Sequence, residues 1–105
     1  MSENIPLAYK MFKLIDDNPS MKQREFAEIL GLSLGKVNYC FKALVEKGFV
    51  KVGNFRNSEH KLAYAYVLTP KGIEEKARVT YQFYKRTEAE YEMLRQEVLG
   101  LRARK

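Results

Sequence analysis

Cysteine and histidine are almost missing from this chain of 105 residues: Cys40 is the one cysteine and His60 the one histidine. A lone cysteine forms no disulfide within its chain, which suits a reducing compartment. One Cys and one His are also too few soft ligands for a zinc site built from a single chain. Long apolar runs are missing as well. No uncharged stretch approaches the roughly 20 residues that cross a bilayer, and Glu3 and Pro6 stand where a secretory signal carries basic residues. The expected location is therefore the cytoplasm, away from membranes. Nor is there a glycine-rich phosphate loop, a nucleophile beside a base, or a convincing carboxylate pair, so neither an enzyme nor a cofactor is expected. No internal repeat or low-complexity tract is present.

What is there is the composition of one globular unit, 46% hydrophobic and 30% charged, with a formal charge of +6. That charge is unevenly placed. Residues 1–32 hold Lys10, Lys13, Lys22 and Arg24 against Glu3, Asp16, Asp17, Glu25 and Glu28. Residues 33–61 hold Lys36, Lys42, Lys47, Lys51, Arg56 and Lys61 against only Glu46 and Glu59. A basic segment this short matches the electrostatic footprint of a polyanion, although charge alone equally describes a solvated surface.

Periodicity supplies the order of elements. Leu7, Met11, Leu14 and Ile15, widened by Ala8 and Phe12, predict a helix over 5–17 capped by Asn4 and broken by Asn18-Pro19. Ser20 with Gln23 reads as a capping box opening a short helix with Phe26, Ile29 and Leu30 inward, closed by Gly31. Ser33 caps a third helix over 34–47. Its Val37, Cys40, Phe41, Leu44 and Val45 form a core face, and Gly35, Lys36, Asn38, Tyr39 and Lys42 an available one. Cys40 is read there as a buried structural thiol. Strands are predicted over 49–52 and 61–68 around a polar hairpin tip, 53–60. Thr69-Pro70 then starts a long helix running to about Ala103.

That last helix spans roughly 50 Å at 1.5 Å per residue, more than a small domain covers. Ile73, Ala77, Thr80, Tyr84, Thr87, Tyr91, Leu94, Val98 and Leu101 alternate four and three apart, the signature of a coiled-coil seam. Ala77, Thr80 and Thr87 are weak seam residues, so the tightest pairing is expected near Leu94, Val98 and Leu101. Pairing with a second copy is the favoured reading; the alternative is a single helix folded back on its own domain. The tyrosines Tyr64, Tyr66, Tyr81, Tyr84 and Tyr91 are assigned first to packing, with an aromatic effector pocket as the other reading.

Three helices, a strand, a hairpin tip, a strand and a long helix make a mainly α fold with a small β-hairpin wing. This is a winged helix-turn-helix over 1–69 followed by a C-terminal dimerisation helix over 70–105. Ala27, Gly31 and Val37 sit at the spacing of the small residue, turn glycine and inward aliphatic residue of helix-turn-helix motifs. Over residues 24–40 (REFAEILGLSLGKVNYC), 44–50 (LVEKGFV) and 68–72 (LTPKG), the chain resembles the MarR family, and most of all its short members associated with exopolysaccharide gene clusters.

The resemblance implies a cytoplasmic homodimer that regulates transcription by binding double-stranded DNA at an inverted repeat, with exopolysaccharide genes as targets. The helix that begins after Ser33 is then expected in the major groove. Ser33 at its start is itself a DNA contact, Gly35 allows close approach there, Asn38 reads an adenine, Tyr39 reaches bases or phosphates, and Lys36 and Lys42 meet phosphates. Arg56 at the wing is expected to enter a minor groove or hold a phosphate, supported by Asn54, Asn57, Ser58 and Lys61. The dimer is expected through Ile73, Ala77, Tyr84, Tyr91, Leu94, Val98 and Leu101. The residues name no small-molecule effector. A winged-helix adaptor that binds only protein is the alternative, and RNA binding a further one, thinly supported by Tyr39 and Phe55.

Overall fold

The computed structural model describes residues 4–18, 20–56 and 62–104. Their order is α1 (Ile5–Asp17), α2 (Gln23–Leu30), α3 (Leu34–Glu46), β1 (Val50–Arg56), β2 (Leu62–Leu68) and α4 (Pro70–Ala103). The fold is a winged helix with a long C-terminal helix.

Local chemistry sets most of the boundaries. Asn4 opens α1 by accepting from the Leu7 N–H at 3.1 Å, and Ser33 opens α3 by accepting from the Lys36 N–H at 3.1 Å. Between them Gly31, at φ 68°, ends α2 in the left-handed conformation that a Cβ disfavours. Thr69 has two tasks. Its hydroxyl accepts from the Gly72 N–H at 3.0 Å, capping α4, and donates to the Gly48 carbonyl at 2.5 Å, tying that cap to the end of α3.

The core is aromatic and aliphatic. Met11, Phe12 and Ile15 of α1, Phe26 and Ala27 of α2, and Val37 and Phe41 of α3 are buried together with Val50, Leu68 and Val79. Phe41 sits between two rings, edge-on to Phe26 at 5.0 Å and tilted against Tyr66 at 4.3 Å. The first turns of α4 close this core: Val79 is 1% exposed, Phe83 stacks on Tyr9 at 5.1 Å, and Lys76 pairs with Asp16 at 2.7 Å. Beside this face Arg78 grips Glu75 through two contacts of 2.6 and 2.7 Å, and that hydrogen bonding holds the Glu75 carboxyl below its ordinary value.

Four sequence expectations need correction. The second helix begins at Gln23 with Lys22 as its cap residue, not at Ser20; the Glu25 carboxylate accepts from the Lys22 N–H at 3.3 Å and takes over the capping. Ile29 and Val45, expected inside, are 58% and 40% exposed, because Phe26 with Ala27 and Phe41 with Val37 already fill the space between α2 and α3. Cys40 is half-buried, not enclosed, at the edge of an apolar groove beside Leu7 and Met11 of α1. The first wing strand is also longer than predicted. It runs to Arg56 in an antiparallel ladder from Val50↔Leu68 to Arg56↔Leu62, so Gly53, Asn54 and Arg56 belong to the strand rather than the tip.

Candidate nucleic-acid interface

The outward face of α3 follows from what holds its inner face. Val37 and Phe41 are 0% and 2% exposed, which fixes the rotation of the helix about its axis. Ser33, Gly35, Lys36, Asn38, Tyr39 and Lys42 are consequently all exposed. A Cβ built on Gly35 meets nothing within 4 Å in the chain itself, so no internal contact requires a glycine there. Tyr39 is 65% exposed with the Lys36 ammonium 5.6 Å from its ring centre, a cation–π contact that joins two members of the face.

Asn38 is held from the side. Its Nδ2 donates to Gln23 Oε1 at 3.3 Å, and Gln23 Nε2 donates to the Tyr66 hydroxyl at 2.8 Å. These bonds connect β2, the start of α2 and the outward face of α3 in one line. Gln23 and Tyr66 were not picked out as site residues from the sequence. Tyr66 shares a face with Leu68 in the strand pattern, but nothing local points from it to Gln23.

Beside this line lies an open hollow of about 360 Å³ between α3 and the wing, floored by Phe41, Val45 and Val52 and rimmed by Asn38, Lys42 and Glu46. Lys51 is exposed on β1. In the ladder Asn54 pairs with Tyr64 and Arg56 with Leu62, at the end of the wing far from the core. The other three predicted wing contacts, Asn57, Ser58 and Lys61, lie outside the described residues.

Along α4 the predicted seam divides. Thr80 is half-buried against its own domain, whereas Ile73 is 58%, Tyr84 58%, Tyr91 65%, Leu94 65%, Val98 46% and Leu101 61% exposed, and Ala77 is exposed too. Tyr66 packs on Phe41 as expected, while Tyr81, Tyr84 and Tyr91 stand exposed along the helix in the single chain. The side chain of Tyr64 lies outside the described residues. Among the described residues no group of three His, Cys, Asp or Glu side chains is placed to hold a metal, and no helix is long and apolar enough to cross a membrane.

This geometry is that of a winged helix-turn-helix, and residues 7–51 match the winged helix-turn-helix DNA-binding family. No curated protein sequence matches the chain. Solved structures do. The transcriptional regulator SlyA superposes with a TM-score of 0.63 at 18% identity, over 78% of this chain and 56% of SlyA. The zinc-dependent MarR-family regulator AdcR, in its Zn(II)-bound state, gives 0.60 at 20% identity, over 90% of this chain and 61% of AdcR. FabT of Streptococcus pneumoniae, solved in complex with DNA, gives 0.55 at 20% identity, over 79% and 56%. At these identities the likeness is one of fold, and the chain spans a little over half the length of each of the three.

Proposed function

We propose that this chain is a MarR-type transcriptional regulator that binds duplex DNA as a homodimer at an inverted repeat, with exopolysaccharide genes as its targets. One observation carries the reading: the polar, basic side of α3 stands exposed and is hydrogen-bonded through Gln23 to the base of the wing. Helix and wing are thereby set side by side, as two grips on one duplex require.

The bonds at Asn38 leave a defined set of groups free. Gln23 takes one N–H of its amide, so the carbonyl oxygen and the second N–H remain. An adenine edge in the major groove offers one donor and one acceptor that match this pair. Lys36 and Lys42 flank it as phosphate contacts. Arg56, at the far end of the ladder, takes the minor groove or the adjoining backbone.

Selection of bound sequences from a random duplex pool tests the reading, with structured RNA at matched salt as the comparison. An enriched inverted repeat lying upstream of polysaccharide-synthesis genes is the expected result; no enrichment, or equal binding to RNA, contradicts it. Asn38→Ala is expected to relax preference at one base position per half-site, by about 1 to 3 kcal/mol. Arg56→Ala should lower affinity for all sequences alike. An unchanged selection profile for Asn38→Ala would remove that residue from the reading role.

A further inference from the structure

The proposed homodimer leaves open the direction in which two copies of α4 would pair, and the charges beside the seam decide it. From Tyr84 to Arg104 every residue of the chain is exposed, so the apolar line of Tyr84, Tyr91, Leu94, Val98 and Leu101 faces no part of its own domain. In heptad terms Tyr91 and Val98 occupy a, and Leu94 and Leu101 occupy d. Glu90 and Glu97 then stand immediately before an a residue, at g, while Arg95 and Arg102 stand immediately after a d residue, at e.

In a parallel pair in register, each g residue lies against the e residue of the following heptad in the other helix. Glu90 meets Arg95 of the partner subunit, and Glu97 meets Arg102 of the partner subunit. Two-fold symmetry repeats both contacts. An antiparallel pair brings g against g and e against e. Layering Tyr91 on Leu101 and Leu94 on Val98 in that sense sets Glu97 against Glu97 of the partner subunit and Arg95 against Arg95 of the partner subunit. Sliding by one heptad sets Glu90 against Glu97 instead, partly offset by Arg95 against Glu88, which stands at e after Thr87; only the parallel pair in register opposes no like charges. The apolar residues bear on the number of helices rather than their direction, since in a parallel coil a β-branched a residue with leucine at d favours two strands. Both Glu90 and Arg95 already touch neighbours on their own helix, Arg86 at 3.5 Å and Glu92 at 3.2 Å. These exposed pairs are worth little and are readily exchanged.

We infer that α4 takes a second copy of this chain as its partner, parallel and in register over residues 84–101. This rests on the proposed homodimer and adds its direction. Parallel pairing leaves both winged domains at the same end of the rod, where the two α3 helices can address one duplex; antiparallel pairing would send them to opposite ends.

The test is disulfide cross-linking in a Cys40→Ser background, with Cys40→Ala in its place if serine is not tolerated. Leu101→Cys is expected to cross-link to itself, and a chain carrying Leu101→Cys is expected not to cross-link to one carrying Tyr91→Cys. Spin labels on Gln82→Cys give a second reading that leaves the seam intact. They should lie roughly 20 Å apart in a parallel pair and roughly 35 Å or more apart in an antiparallel one, at 1.5 Å per residue. Sedimentation of the same samples separates the two ideas. A monomer overturns the homodimer together with its direction, whereas a dimer with the Leu101–Tyr91 cross-link or the long distance overturns the direction alone.

Discussion

Leu94→Glu combined with Val98→Glu is expected to give a folded monomer whose affinity for an inverted-repeat duplex is roughly a hundredfold or more below that of the unaltered chain. The two side chains are 65% and 46% exposed in the single chain, so the carboxylates remain solvated there and the fold has no reason to change. Paired, the same positions become the centre of the seam, and four carboxylates meet on the axis of the dimer without counterions. Losing the dimer makes each half-site a separate binding event and forfeits the effective concentration that one bound subunit gives the other, a factor of about 10² to 10⁴. Circular dichroism should be unaltered, sedimentation should report one chain, and DNA titration should show the loss. A variant that remains dimeric would place the dimer contact elsewhere.

Gly72→Ala should be the most damaging small substitution in the molecule. Gly72 lies in the first turn of α4, where the helix crosses the backbone of Phe49, and a Cβ at that point would overlap the Phe49 carbonyl. The obstacle is backbone, so no side-chain rotation relieves it. Thr69 fixes both parties, since its N–H donates to the Phe49 carbonyl at 3.0 Å while its hydroxyl caps α4. Separating them breaks both contacts. A loss of at least about 3 kcal/mol follows, a large share of the 5 to 15 kcal/mol typical of a domain. In thermal unfolding that is a fall of roughly 15 °C or more in the midpoint. Gly100→Ala is the control, because a Cβ there meets nothing and a helical alanine is worth about 0.5 to 1 kcal/mol over glycine. A midpoint for Gly72→Ala within a few degrees of the parent would show that α4 and Phe49 do not cross so closely.

The features visible in the sequence were those set by chemistry within a turn or two of chain. Asn4, Ser33 and Thr69-Pro70 cap their helices as read, and Val37 and Phe41 face inward as their spacing requires. Errors arose where a competing local bond or a more distant contact settled the matter. The Ser20 pattern lost to Glu25, one turn inside the helix and free to reach the Lys22 N–H. Residues 53–56 looked like a turn because Gly53 and Asn54 are turn-prone and Arg56 is polar, but ladder bonds are made by backbone, and pairing with 62–65 extends the strand whatever the side chains are. Ile29 fits the periodicity of an inward residue, yet the large Phe26 and Phe41 rings leave it no room.

The candidate site divides along the same line. The outward residues of α3 follow from periodicity alone, whereas the bond between Gln23 and Tyr66 joins residues 43 apart in sequence and exists only once the wing has folded back. Nor does the seam pattern distinguish Thr80, drawn toward its own domain behind Val79, from Leu94, which the domain never reaches.

The central claim is that α3 and the wing form one basic surface shaped to a duplex, and its most direct test is the salt dependence of binding to a selected inverted-repeat duplex. With about three phosphates neutralised per subunit, log affinity should fall against log salt with a slope near −5. Affinity indifferent to salt, or no measurable binding at low salt, would contradict it.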